Sequence, residues 1–461
     1  MKMKTMLLMT LALLIVVPVP AQDSSGFSLS RWGGILAVAQ NPANVFSPDL
    51  KYDVHLFSIF MTAENNYLAL QADQLFSAAE ARDILKPEPK GQDASVCMGA
   101  DAIGPSFLIR ISAKDALAFS SKDRAWANVD GIPVEAADML YDVLLGEGAN
   151  NYSFASDYTS LNFHNWIEYA FSYGRQFLSR GPHRLQAGAT FKLLQGVSAY
   201  ALTVRDFQSQ LEIASDLINR VTADVTYGHT QNLTWGNDSN GMFKNEAMGV
   251  GFDFGVVYEY HPAATAAGGA GQGRSSEAVG YKFKVGLAVL DLGSINYEKK
   301  LGCRDFTVDV DVLDIVVFDE IESQADINEV INSIDGVTAK PGDMGRFAMN
   351  LPARISATLD FQALPGLYLN LNPVIALNGG RNDSYRNHLV TQCGFSLRYE
   401  KRWLGIIVPG AVGGLGGFRL GLGVKAGPLL VGSSSLLSFL LGGQVRSADF
   451  FVGLRIPLGQ P

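Results

Sequence analysis

The stretch Leu161-Asn162-Phe163-His164-Asn165-Trp166-Ile167-Glu168-Tyr169-Ala170-Phe171-Ser172-Tyr173 alternates with period two. Leu161, Phe163, Ile167, Tyr169, Phe171 and Tyr173 fall on one side, and Asn162, His164, Trp166, Glu168, Ala170 and Ser172 on the other. Successive side chains of a strand point to opposite faces, so this is a ribbon with one greasy face and one polar or small face. After Gly181-Pro182-His183 the pattern resumes, with Leu185, Ala187, Ala189, Phe191 and Leu193 opposite Arg184, Gln186, Gly188, Thr190 and Lys192.

Working outward, the same alternation returns at Val250–Tyr258, Tyr281–Val289, Ile355–Phe361, Cys393–Tyr399, Phe418–Val424 and Phe450–Ile456. A soluble sandwich also alternates. Three features favour a membrane barrel. The strands match the roughly 9 to 11 tilted residues that cross a hydrocarbon core. Their polar faces carry Lys, Arg, Asp and Glu beside Gly, as expected of an ion-paired or wet interior. Tyr52, Tyr173, Tyr258, Tyr281, Tyr399 and Trp403 stand at strand ends, where an interfacial aromatic girdle belongs. Because lipid offers no hydrogen bonds to a free strand edge, the sheet must close.

The expected fold is therefore all-β: an antiparallel transmembrane outer-membrane β-barrel of about 14 strands, an even number being usual in single-chain bacterial barrels. A plug-like N-terminal segment and a few loop helices complete it. Strands are expected near 51–62, 103–112, 115–121, 159–175, 183–195, 199–213, 219–231, 247–260, 280–297, 351–363, 366–378, 386–400, 403–425 and 446–458.

Composition agrees with that class. The 461 residues are 48% hydrophobic and 18% charged with a net charge of −9, which excludes a disordered chain and gives no support to a basic nucleic-acid groove. Residues 1–21 have a Lys2/Lys4 start, an apolar centre from Met6 to Val19 and small residues before Gln22, which is the form of a cleaved secretory signal. That centre is too short to span a bilayer as a helix. Cys97, Cys303 and Cys393 are odd in number and far apart, so no disulfide framework is expected.

Residues 22–50, with Asn41-Pro42-Ala43-Asn44, precede the barrel at 51–461 and read as a lead-in or a plug inside the lumen. Long outer loops are expected near 66–100, 122–158 and 301–345. Helical patterns run from Leu70 to Ile84, from Val134 to Leu145 and from Asp319 to Ile334. The glycines from Gly268 to Gly273 lack the Lys-Ser/Thr and strand-to-helix setting of a phosphate cradle. The acidic run through Asp305, Asp309, Asp311, Asp314, Asp319, Glu320, Glu322 and Asp326 reads as a solvated loop, with loose divalent-ion binding as the alternative.

Chemistry is hard to find. None of the six histidines sits at a metal-ligand spacing, and Ser433-Ser434-Ser435 lacks a Gly-x-Ser-x-Gly setting, so no enzyme, metal or cofactor is expected. The residues expected to face the lumen are Asp53, His55, Arg110, His164, Glu168, Lys192, Asp253, Glu259, Lys282, Lys284, Arg354, Asp360, Arg398, Arg419, Lys425 and Arg455. They read either as an ion-paired network that fills a narrow barrel or as the lining of a solute path.

Asn41-Pro42-Ala43-Asn44, the stretch from Gly286 to Tyr297, Leu351-Pro352-Ala353-Arg354 and the ending from Leu420 through Gly427-Pro428 to Ala448–Leu454 resemble an uncharacterised Bacteroidota outer-membrane barrel family related to the PorV and FadL-like barrels. The resemblance implies 14 strands, an N-terminal segment in the lumen, and a hatch-type motif at Asn41, Pro42 and Ala43. It also implies one of two roles. A FadL-like barrel is a passive channel for hydrophobic or amphipathic small molecules, whereas a PorV-like barrel is a structural or secretion partner. The partners implied are outer-membrane lipid with either small hydrophobic molecules or secreted and outer-membrane proteins, and no nucleic acid.

Overall fold

A computed structural model describes residues 26–46, 50–74, 80–145, 151–212, 217–230, 247–262, 280–300, 303, 305–314, 333–340, 345–377, 385–401 and 403–458. The expected signal segment, the glycines at 268–273, most of the 319–334 helical pattern and the last three residues lie outside them.

In chain order the strands begin with β1 (Tyr52–Asn65), β2 (Leu68–Gln71), β3 (Leu85–Pro87), β4 (Asp93–Ile103), β5 (Ser106–Arg110) and β6 (Asp115–Pro133). Next come β7 (Asn151–Arg180), β8 (His183–Glu212), β9 (Leu217–His229), β10 (Ala247–Tyr260), β11 (Phe283–Glu298) and β12 (Phe306–Asp314). They continue with β13 (Val337–Ala339), β14 (Arg346–Asn350), β15 (Arg354–Leu364), β16 (Leu367–Ala376), β17 (Gln392–Glu400) and β18 (Leu404–Gly413). The last are β19 (Arg419–Leu420), β20 (Leu422–Ala426), β21 (Leu429–Ser433), β22 (Gln444–Val445) and β23 (Ser447–Leu458).

Fourteen antiparallel staves close the barrel. In order they are β1, β4 with β5, β6, β7, β8, β10, β11, β14 with β15, β16, β17, β18, β19 with β20, β21 and β23. The ring shuts where β23 pairs β1, Tyr52 opposite Leu458 and His55 opposite Arg455. Closure leaves no free edge in the wall, which a lipid environment demands. Tight turns such as Gly181-Pro182 and Pro365-Gly366 join staves at one end, which also carries the connection 261–282, and most of the longer connections lie at the other; by the usual form of such barrels the tight-turn end is the periplasmic one.

The two faces sort by chemistry. Phe171, Phe191, Val250, Phe252, Phe254, Leu287, Leu359, Leu371 and Leu397 are exposed on the outside, while Glu168, Lys192, Asp253, Asp360 and Arg398 are buried inside. Tyr52, Tyr173, Tyr399 and Trp403 are also exposed on this belt, but Tyr281 is buried and donates to Asp360 instead of joining the girdle. A bulge between His55 and Phe57 shifts the alternation of β1, so that Asp53 and His55 point inward and then Ser58, Phe60 and Thr62 do.

Several expected boundaries move. β7 and β8 are each 30 residues long, so 183–195 and 199–213 are one strand. At Val197, β8 bulges and changes partner: its first half pairs β10 and its second half pairs β9. β9, β12 and β13 continue that second half as a sheet above the barrel, so 219–231 is not a wall stave. β4 and most of the second half of β6 occupy stretches expected to be outer loops. The helix at Val134–Leu145 is present. The pattern from Leu70 to Ile84 gives, in its described part, the end of β2, a short 3-10 turn and a helix of only Ala81–Ile84.

Candidate functional site

Residues 26–46 lie inside the ring and are almost wholly buried. Helix α1 (Ile35–Gln40) begins after Gly34, whose φ of 52° suits glycine and where a Cβ would stand 2.0 Å from Asp53 Oδ2. That carboxylate accepts the Ile35 N–H at 3.0 Å and the Arg455 Nε–H at 2.6 Å, so a wall ion pair also serves the first free amide of the helix. The helix stops at Asn41, because Pro42 follows with a fixed φ and opens the 3-10 turn Pro42–Val45. Asn41 Oδ1 accepts the Ala43 N–H at 2.9 Å.

The opposite end of the Asn41 side chain ties the segment to the wall. Its Nδ2 donates to Val256 O at 3.1 Å on β10 and to Leu287 O at 3.2 Å on β11. Pro42 fits here because the wall has no side chains at this point. Gly174, Gly188 and Gly255 stand in register on β7, β8 and β10. A Cβ on Gly188 would be 2.4 Å from Pro42 O, one on Gly255 2.0 Å from Asn41 Oδ1, and one on Gly174 2.2 Å from Val45 Cγ1. Lys284 Nζ donates to Asn44 Oδ1 at 2.7 Å. Across the lumen, Ser30 donates to Glu400, which also accepts the Arg31 N–H at 3.2 Å, and Phe27 packs on Phe451 with ring centroids 5.2 Å apart.

Above the segment lies a belt of charge centred on Asp291. Two residues of β11, Leu290 and Asp291, bulge opposite Asp253, and Asp291 takes a φ of 59°. Its carboxylate accepts from Lys192 Nζ at 2.6 Å, Arg124 Nη1 at 2.8 Å and Arg354 Nη1 at 2.5 Å, while its own N–H donates to Asp253 at 2.7 Å. Lys192 also meets Asp253 at 2.8 Å, and Arg124 meets Asp101 at 3.0 Å and Glu168 at 3.3 Å. With Lys122 beside Glu168 at 3.4 Å, four cations face four anions. So many charges are tolerable out of bulk water only because each has an opposite partner.

The top is closed by Trp126, Trp166, Tyr297, Phe347 and Met349 and by the loop 385–391, which dips into the lumen. His388 O accepts from Trp126 Nε1 at 2.9 Å and Asn128 Nδ2 at 3.0 Å, and its imidazole Nε2 lies 2.9 Å from Asp130 Oδ2. Burial opposes protonation of His388, but the hydrogen bond and charge of Asp130 outweigh it and raise the pKa above the usual imidazole value. Among the cavities left in the lumen are two of about 40 and 50 Å³, and Gln40, Arg354 and Leu389 border both. Each has room for a few waters.

The other residues named from the sequence fall into three places. At the periplasmic end are His55, bonded to Ser58 at 3.0 Å, Arg110, over the Phe46 ring at 5.7 Å, and the Arg398–Asp360 pair at 2.8 Å. Glu259 lies 2.9 Å from His261 there, and Lys425 Nζ stands 6.0 Å from the Trp32 ring. Higher up, His164 bonds Tyr297 at 2.9 Å and Arg419 faces Glu64 at 3.6 Å. Lys282 departs from expectation. It precedes β11 and turns onto the outward ring of Phe361 at 4.7 Å, donating to Gln362 O, so it does not point into the lumen.

Sequence reading missed Asp101, Lys122, Arg124, Asp291, Glu64 and Glu400. Arg124 lay in an expected loop, and Asp291 is hidden by its bulge. Ser433 and Ser435 donate to Asp449, as a turn does. Among the described residues no group of three or more His, Cys, Asp or Glu is placed to hold a metal ion.

No curated protein matches the sequence. Among solved structures, a TodX mutant described as a monoaromatic hydrocarbon channel is similar at 10% identity and a TM-score of 0.44, covering 95% of this chain and 97% of that one. A Pseudomonas aeruginosa FadL homologue is similar at 12% identity and a TM-score of 0.43, covering 96% and 99%. The outer membrane protease OmpT from Escherichia coli aligns at 8% identity over 90% of this chain and 98% of its own, with a TM-score of 0.21. Residues 42–434, from the seated Pro42 through most of the wall, match DUF5723, a family of unknown function, and the chain belongs to that family.

Proposed function

We propose that the protein is a gated outer-membrane channel for hydrophobic or amphipathic small molecules, with residues 22–50 as the hatch and Asn41, Pro42 and Ala43 as its seat. The observation that carries this reading is the glycine row under Pro42. Asn41–Ala43 rests on bare backbone, tied there by the Asn41 side chain and, through Asn44, by Lys284, while Phe27, Ile35, Val45 and Phe46 share a buried cluster with the wall side chains Phe60, Leu108 and Phe451. The substrate class comes from the resemblance to FadL-like barrels.

The test is flux into liposomes. Barrels lacking residues 26–44 are expected to pass an apolar fluorescent probe that the full chain holds back. If the truncated, folded barrel neither binds nor passes any lipid-like probe, the channel reading is wrong.

The charge belt favours a second reading, a non-transporting structural or secretion-partner barrel of the PorV type. Four cations matched to four anions would keep the lumen shut even without the hatch. That reading expects no flux from the truncated barrel and a protein that co-purifies under gentle extraction.

A further inference from the structure

The lipid-facing wall carries a trough that plays no part in the channel reading. Outward residues on β8 run Leu185, Ala187, Ala189, Phe191, and the two alanines sit among large neighbours. Tyr173 on β7 and Phe254 on β10 flank Ala189 in register, and Phe171 and Phe252 flank Phe191. The result is an apolar hollow of about 790 Å³ that opens toward the bilayer.

A charge lies just beyond the edge of the hollow, two residues along each strand from its lining residues Ala189 and Tyr173. Ala187 is the register partner of Arg175, whose side chain is 47% exposed on the outer face between Tyr173 and the outward ring of Phe177. Arg175 bonds Asp115 Oδ1 at 3.1 Å and also interacts with the Tyr173 hydroxyl, which itself donates to that Asp115 oxygen at 2.7 Å. A guanidinium has five N–H donors, so the half-exposed Arg175 has donors left for a further acceptor. Lys114 lies on the adjoining turn, its carbonyl held by Gln176 N–H at 2.8 Å. Lys114 and Arg175 against Asp115 leave one positive charge in excess beside the lower end of the trough, on the periplasmic side.

We propose that this trough binds one anionic glycerophospholipid of the periplasmic leaflet. Its acyl chain lies over Ala189 between the aromatic rims, and its phosphate meets Arg175 and Lys114 beyond the edge of the hollow. The hollow is continuous with the lipid-facing belt, so an occupant enters from the bilayer. The unmatched charge at its polar end is a cation, which selects an anionic headgroup and draws it by charge-assisted hydrogen bonds. An uncharged hydrocarbon would leave the second cation of the Lys114, Asp115 and Arg175 group unmatched.

Native mass spectrometry of barrels extracted from mixed phosphatidylglycerol and phosphatidylethanolamine bilayers tests this. One phosphatidylglycerol is expected to stay with each wild-type barrel. Arg175→Gln is expected to abolish the preference for phosphatidylglycerol. Ala189→Phe, which fills the trough from the lipid side, is expected to release the lipid, with retained folding checked by heat-resistant migration on gels. Equal retention of the two lipids by wild type, or undiminished retention by folded Ala189→Phe, overturns the proposal. Should Ala189→Phe not fold, a phosphatidylglycerol with a photoreactive acyl chain decides on the wild-type barrel. Adducts concentrated on residues 171–175 and 187–191 support the site, and adducts spread evenly around the belt overturn it.

Discussion

Gly188 on β8 faces Pro42 so closely that a Cβ there would stand 2.4 Å from the Pro42 carbonyl oxygen. Gly188→Val therefore puts a side chain where the N-terminal segment rests, while valine suits the strand itself. The barrel is expected to fold and the segment to leave its seat. Limited proteolysis within residues 26–46, protected in the wild type and cut in the variant, is the readout, and equal protection would show that the wall yields instead.

Asn41→Ala removes both hydrogen bonds to the backbones of β10 and β11 and the bond that starts the 3-10 turn. At about 1 kcal/mol for each hydrogen bond, the seat weakens by roughly 2–3 kcal/mol. Single-barrel recordings in planar bilayers are expected to show openings in the variant that are rare or absent in wild type.

Asp291→Ala leaves Lys192, Arg124 and Arg354 without their shared acceptor. Removing one member of a buried ion-pair group costs about 3–5 kcal/mol, because the remaining charges stay buried. Urea unfolding in lipid vesicles is expected to show a loss of that size. Glu298→Ala, which removes an exposed partner of Arg346, is expected to cost at most about 1 kcal/mol.

The His388–Asp130 contact makes the outer loop sensitive to pH. The pKa of His388 is raised in the folded protein above its usual 6.5. Its stabilising contribution is therefore fully present below pH 6.5 and is lost as pH rises through the folded-state value. Hydrogen exchange of residues 385–391, corrected for intrinsic rates, is expected to quicken across that window, and His388→Gln is expected to remove the dependence.

The alternation at 161–173 and 184–193 was enough to read the wall, because a lipid belt and a charged lumen demand opposite residues on the two faces. β4 escaped that reading because Asp93–Ile103 alternates among small residues, Ala94, Ser95, Gly99 and Ala100, whose polarity contrast is weak. The division between wall and overlying sheet was not legible either, since β8 runs on through the bulge at Val197 as one strand and changes its partner there.

At the candidate site, Lys192, Asp253 and Arg354 were visible as inward charges, but what they hold was not. Asp291 reaches them through a two-residue bulge, whereas the outward alternation of Val285, Leu287 and Val289, carried on unbroken, would put it on the lipid face. The glycines were visible one by one on the polar faces. That Gly174, Gly188 and Gly255 form a row depends on strand register, which no single strand encodes.

The hairpin of β7 and β8 has a consequence at the cell surface. Thirty residues at about 3.3 Å each make a ribbon of roughly 100 Å, and about a third of it suffices to cross the hydrocarbon. Much of the rest stands away from the bilayer as a mast, stiffened by β9 and β12. An antibody raised against Ser153–Tyr158 should therefore stain intact cells, whereas one against Asn41–Phe46 should not.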